Sequence, residues 1–127
     1  MRLQQLGVVK AGVPTKHIFE FLGLVLTNLG YGLVVKAEYD DKGNYAQTLK
    51  QIKDWSPPHI QAALAEFRRF LRQTPLTYYD LSRRNTVLAW RQGRWQLVII
   101  DGIGVYRQKF FYAHCFAKKQ KIPHWAL

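Results

Sequence analysis

Two apolar runs of similar length, TVLAW from residue 86 and WQLVII from residue 95, are joined by Arg91-Gln92-Gly93-Arg94. Short runs rich in β-branched and aromatic residues, linked by a glycine-containing turn, specify a β-hairpin. The expectation is a strand over residues 86–91, a turn at Gln92-Gly93 and a strand over residues 95–100. The second strand closes on four consecutive apolar residues, Leu97 to Ile100, so both of its faces should be buried. A hairpin brings its two ends together, which decides what lies beside what. A polar loop, residues 78–85, runs into the open end, and Asp101-Gly102-Ile103-Gly104 leaves from it. Each flank holds one acid, Asp80 and Asp101.

Charge sets these two acids apart. The net charge is +11 and the excess is lopsided. Residues 1–66 hold seven Lys or Arg against six Asp or Glu, whereas the remainder holds twelve against two, and the two are Asp80 and Asp101. One acid among bases is ordinarily a solvated ion-pair partner; two, at the two mouths of one hairpin, point to a shared role. The basic half should favour anionic partners: nucleotide phosphates, nucleic acid or an acidic membrane surface.

The 127 residues fit a single domain with room for a core. Cys115 is alone, which excludes a disulfide framework and a thiolate metal cluster and suits a reducing compartment, so a cytoplasmic location is expected. Among phenylalanines, it reads as a buried, inert thiol. His17, His59, His114 and His124 form no ligand pair at helical spacing, so they read as ordinary surface or core histidines. Ser82 has no nearby His, so no hydrolase triad is indicated. The most hydrophobic run, residues 18–35, is interrupted by Glu20, Thr27, Asn28 and glycines; no membrane span is expected there.

Around the central hairpin, the chain reads as a mixture of strands and helices. Residues 1–20 are weakly patterned, with a short strand at 6–9. Residues 22–26 and 33–35 read as strands with Asn28, Gly30 and Gly32 marking their turn, residues 40–44 as a second turn, and residues 48–52 as the opening of a short helix. The strongest helix covers residues 57–72, with Ser56 as N-cap and Pro57 at the first helical position. Its apolar face comprises Ile60, Ala63, Leu64, Phe67, Phe70 and Leu71; Arg68, Arg69 and Arg72 load its end, and Thr74-Pro75 stops it. A terminal helix is expected over residues 108–121. Gly30-Tyr31-Gly32 invites comparison with a phosphate-binding glycine loop. The third glycine position falls on Val35, however, whose Cβ stands where a phosphate must approach the backbone, so a plain β-turn is preferred.

Asp80 and Asn85 stand in the relation D-x-x-x-x-N. This is the catalytic-loop spacing of kinases, in which the Asp accepts the proton of the attacking hydroxyl and the Asn holds a magnesium ion. Magnesium takes hard oxygen ligands, usually one or two carboxylates plus substrate phosphate. Asp101 suits the second ligand role, because the glycines after it let the chain turn away without crowding the metal. The ordered set is more specific than any one part: amphipathic helix, D-L-x-x-x-N, hairpin, apolar strand, D-G-x-G.

That order resembles the C-terminal lobe of the protein-kinase-like fold. In detail the chain resembles the PhoP regulatory network (YrbL-type) family, through LVLTNLGYGLVVKAE with the D-x-x-G and Thr48-Leu49 that follow it, Asp80-Leu81 with Asn85, LVIIDGIG, and the Lys-rich tail ending Lys121-Ile122. The resemblance implies an α+β fold: a kinase-like C-terminal lobe with a helix before the catalytic loop, a β-hairpin and a C-terminal helix. The small lobe would be largely missing and the single domain N-terminally shortened. Residues 22–38 would lead to the nucleotide hinge. Asp80 would be catalytic, Asn85 and Asp101 would hold the metal, and Asn85, Asp101 and Gly102 would bind the cofactor, Mg-ATP. The chain departs from the kinase pattern at Tyr78-Tyr79, which replaces His-Arg, and at DGIG, which replaces DFG. The activity is therefore open between a phosphotransferase and a pseudokinase or regulatory module with a protein partner. A third reading is a basic nucleic-acid-binding module: Arg83, Arg84, Arg91, Arg94, Lys118, Lys119 and Lys121 on phosphates, with Trp90 or Trp95 stacked on bases.

Overall fold

A computed structural model of the chain describes residues 16–74, 76–78, 81–101, 103–105 and 122–127. Its elements are, in order, β1 (Phe21–Thr27), β2 (Gly30–Val35), β3 (Gln47–Thr48), α1 (Pro58–Gln73), β4 (Leu76–Tyr78), β5 (Thr86–Arg91), β6 (Arg94–Ile99), β7 (Ile103–Val105) and a 3-10 turn at His124–Ala126. They form an α+β arrangement of three small sheets, β1-β2, β3-β5-β6 and β4-β7, around one long helix. The strand expected at residues 6–9 and the helix expected at residues 108–121 lie outside the described residues. No helix among the described residues is long and apolar enough to cross a membrane.

The β5–β6 hairpin forms as its sequence dictates, in register from Thr86↔Ile99 to Arg91↔Arg94. Gln92 and Gly93 both take positive φ, 52° and 76°. That left-handed pair matches the twist of the flanking strands, and glycine adopts it without strain. Leu88, Leu97 and Ile99 join the main core with the helix. Val87, Ala89 and Val98 form a second buried cluster with Ala46 and Ile100 beside them. Both faces of the hairpin are therefore covered, which explains the unbroken apolar run at the end of β6.

Helix α1 buries Ile60, Ala63, Leu64, Phe67, Phe70 and Leu71, the apolar face legible in its spacing. Its start differs from the expectation. Pro57 occupies the cap position and Pro58 the first turn, while Ser56 donates its hydroxyl to Asp54 Oδ1 at 2.7 Å instead of capping. Two prolines lack the amide hydrogens a cap would satisfy, and Asp54 offers Ser56 a nearer acceptor. At the far end, Thr74 is extended, as a residue before proline must be, and its amide and hydroxyl both donate to the Phe70 carbonyl, at 3.1 and 2.6 Å. Of the three arginines expected to load the last turn, Arg72 lies there. Arg68 instead reaches the Trp125 carbonyl at 3.0 Å and ties the 3-10 turn to the helix.

The helix expected to open at residues 48–52 is a single turn. Thr48 belongs to β3, and the amides of Gln51 and Ile52 both donate to its carbonyl, at 3.0 and 3.1 Å. Leu49 and Lys50 donate sideways, to the carbonyls of Thr86 and Arg83, so this stretch is laced to β5 and the loop before it. Tyr78, expected in the polar loop, ends the short strand β4, because residues 76–78 pair with residues 103–105.

The run from residue 21 to residue 35 is the β1–β2 hairpin with a two-residue turn at Asn28-Leu29. The turn thus lies just ahead of the glycines expected to form it: Gly30 opens β2 at φ 108° and Gly32 lies within the strand opposite Val25. Leu33 and Val35 pack against the core, whereas Leu26 and Leu29 are 76% and 94% exposed.

Residues 17–19, weakly patterned in sequence, are core. Ile18 bridges Ile99 in parallel; Ile99 donates its amide to the His17 carbonyl at 2.8 Å, and Phe19 donates to the Ile99 carbonyl at 2.9 Å. His17 is a core histidine. Its Nδ1 lies 2.8 Å from the Leu97 carbonyl, which can only accept, so Nδ1 carries the proton. The ring packs on Phe67 and Phe70. Burial, partly offset by the Leu97 hydrogen bond and the charge of Glu66, lowers its pKa from the ordinary 6.5. A folded state that resists protonation below the unfolded value loses stability as pH falls from about 6.5 toward the folded pKa. Urea midpoints measured between pH 7.5 and 5.5 should therefore drop in the native chain, and drop less in His17→Gln, which keeps a donor toward Leu97 without the titration.

Candidate functional site

The open end of the β5–β6 hairpin is built from the loop preceding β5 and the first residues after β6. Leu81 anchors the loop by burying its side chain in the main core. The Ser82 carbonyl then accepts two bonds, from the Asn85 amide at 3.1 Å and from the hydroxyl of fully buried Thr86 at 3.0 Å. The Arg83 carbonyl accepts from Lys50 at 3.2 Å. These bonds close a turn over residues 82–85 and leave Asn85 at its exit, directly before β5.

One further backbone bond places Asn85 against the other strand. Ile100 donates its amide to the Asn85 carbonyl at 2.8 Å, extending the ladder one step past Thr86↔Ile99. Asp101 follows Ile100 immediately, so two expected metal ligands, sixteen positions apart in sequence, stand at the same hairpin end. Asn85 is half-buried and Asp101 exposed. The β4–β7 pair, with Tyr78↔Ile103 as its inner rung, joins the chain on either side of this region. The expected catalytic Asp80 and the expected cofactor residue Gly102 lie outside the described residues.

The donor set suits a hard cation shared with a ligand. Among the described residues, no three His, Cys, Asp or Glu side chains cluster as a metal cage. One amide oxygen and one carboxylate are what magnesium commonly takes from a protein when phosphates supply the rest.

The far end of the hairpin is occupied by ion pairs that sequence reasoning did not find. Arg91 grips the Glu38 carboxylate with Nε, at 2.9 Å, and with Nη2. Glu66 receives Lys16 and, at 2.8 Å, Arg94. Desolvation pushes the Glu66 carboxyl up, but the hydrogen bond and charge of Lys16, then Arg94 and His17, outweigh it and hold the pKa below the usual range. Such pairs join residues 28 to 53 positions apart, and no spacing rule reports them. The one local signal is that Glu38 is the first acid after a long uncharged run.

These pairs weigh on the nucleic-acid reading. The Glu38 side chain is 8% exposed. Moving Arg91 onto a phosphate would strand that carboxylate at a cost of roughly 3–5 kcal/mol. Trp90 and Trp95 already meet edge to face at 5.1 Å, and His59 lies over Trp95. Arg83 and Arg84 remain on the exposed surface beside Asn85, and Lys118, Lys119 and Lys121 lie outside the described residues.

A family model described as PhoP regulatory network protein YrbL matches residues 3–124. The chain belongs to this family. The YrbL match takes in the whole hairpin, both flanking loops and helix α1, so Asn85 and Asp101 sit well inside it. A search among curated proteins finds no match.

Because the turn before Asn85 depends on the Ser82 carbonyl, Thr86→Val tests its construction. The variant keeps the buried shape and removes one hydrogen bond, so it should lower stability by about 1 kcal/mol. The Asn85 amide should exchange faster with solvent while the β6 amides keep their protection. Both effects are read from urea unfolding and amide exchange of the same samples.

Proposed function

We propose that this YrbL-family chain is a kinase-like lobe that binds a magnesium nucleotide at the open end of the β5–β6 hairpin. The observation that carries the reading is the Ile100–Asn85 backbone bond, which sets Asn85 against the residue before Asp101 at the open end of the ladder. The order of elements supports it too: a helix, a short strand, a turn ending at Asn85, the hairpin, then Asp101 and a strand pairing back on the short one.

Asn85 and Asp101 would hold the magnesium, which when bound supplies charge neutralisation for the nucleotide phosphates. The chain's own contribution is positional. Leu81, Thr86 and the Ser82 carbonyl fix the loop, so the Asn85 amide need not be ordered at the moment of binding. Arg83 and Arg84 add positive charge beside the site and favour an anionic ligand. Asp80, five positions before Asn85, would accept the proton of an attacking hydroxyl in a catalytically competent member. A pseudokinase would keep the binding and lack the transfer; the lone cysteine suits the cytoplasm for either.

The test is thermal unfolding with and without millimolar Mg-ATP. Saturation should raise the midpoint by roughly 5–10 °C. Asp101→Asn should abolish the rise while leaving the midpoint of the free chain close to native, because Asp101 is exposed. An unchanged native curve, or an equal rise in Asp101→Asn, contradicts the reading.

A further inference from the structure

The β1–β2 hairpin is a hydrogen-bonded unit of its own. Its strands pair only with each other among the described residues. At its base, Lys36 donates its amide to the Glu20 carbonyl at 2.8 Å, and the two side chains pair at 3.7 Å. Two lengths of chain connect this unit to the body: residues 16–20 lead into β1, and residues 36–39 lead out of β2.

Both connections pass one side chain. On the entering side, Arg91 donates from Nη1 to the Lys16 carbonyl at 2.9 Å and from Nη2 to the Ile18 carbonyl at 3.1 Å. On the leaving side, it holds the Glu38 carboxylate in two-point contact. Arg91 ends β5, so all of these bonds are referred to the middle strand of the three-stranded sheet. Next to it, the Trp90 amide donates to the Tyr39 carbonyl at 2.7 Å. Only arginine presents several donors in a fixed planar fork that can serve two backbone segments and a carboxylate together.

Beyond this grip, the hairpin has little to hold its orientation. Leu33 and Val35 touch the core, while Leu22, Leu26, Leu29 and Tyr31 are exposed. The residues between grip and hairpin, Glu20, Lys36 and Ala37, are exposed as well. A cleft of about 610 Å³ runs alongside, walled by Glu20, Lys36 and Glu38 on the hairpin side and by Trp90, Arg91 and Gln96 on the body side. It is a gap between the two parts that a change in their angle would widen or close.

We propose that Arg91 is a latch: it fixes the β1–β2 hairpin to the β5–β6 body, and its release lets the hairpin swing as a unit about residues 20 and 36–37 with both parts still folded. The device stands on its own geometry and is independent of nucleotide binding at the other end of β5.

Amide hydrogen exchange on the full chain tests it. Arg91→Met retains the apolar stem and removes the donors. The Phe19 and Trp90 amides, which cross from the connections to the body, should then exchange about tenfold faster or more. The amides paired between β1 and β2, and those between β5 and β6, should keep native rates. Glu38→Gln retains the carbonyl bonds to residues 16 and 18, so its acceleration should be smaller and concentrated at Trp90. The latch is overturned if β1–β2 or β5–β6 amides accelerate in step with Phe19 and Trp90, since Arg91 would then support the fold as a whole. It is equally overturned if neither variant changes the Phe19 and Trp90 rates.

Discussion

Six residue pairs, from Thr86↔Ile99 to Arg91↔Arg94, lock β5 to β6, and each outer edge of that pair is used again. β3 lies along β5, and residues 17–19 lie along β6 in parallel. Helix α1 covers one face through Phe67, Leu64 and their neighbours, and the small Val87–Ala89–Val98 cluster fills the other. A two-stranded hairpin alone is marginal in water. With its edges paired and its faces covered it becomes a frame, and its two ends inherit that rigidity. Asn85 and Asp101 stand at one end and Arg91 at the other.

The two ends use charge in opposite ways. At the Arg91 end the cations are already satisfied: Glu38 and Glu66 each hold arginine or lysine across long sequence separations. The Glu38 partner is well shielded, so its loss would leave a stranded ion, whereas the more exposed Arg94–Glu66 contact contributes less. At the Asn85 end, Arg83 and Arg84 lie on the exposed turn before it. A strongly basic chain thus spends part of its excess charge on internal fastening.

Most of the frame was legible in the sequence because its signals are local. The helix face, the Gln92-Gly93 turn and the doubly buried end of β6 follow from periodicity, turn chemistry and apolar run length. The misses have physical reasons. Ser56 fails to cap because Asp54 competes for it and the prolines after it need no cap. Residues 48–52 make only one turn because their amides are drawn sideways to β5. His17 to Phe19 gave no pattern because three residues on the edge of someone else's strand have no periodicity of their own. At the candidate site, hairpin logic brought Asp80 and Asp101 to one end; Asp80 lies outside the described residues, and the backbone there places Asn85 against Ile100, the residue before Asp101. Glu38 and Arg91 were invisible, since an ion pair spanning 53 positions is a tertiary fact.

The central claim is that a divalent cation carried by nucleotide phosphate seats at the open end of the β5–β6 ladder. Manganese with ATP, titrated into the labelled chain, reports this directly by paramagnetic broadening of nearby amides. The account predicts that Asn85, Ile100 and Asp101 broaden first and together. Earliest broadening at the acidic turn of Asp40 and Asp41, or uniform broadening with no leading site, would contradict it.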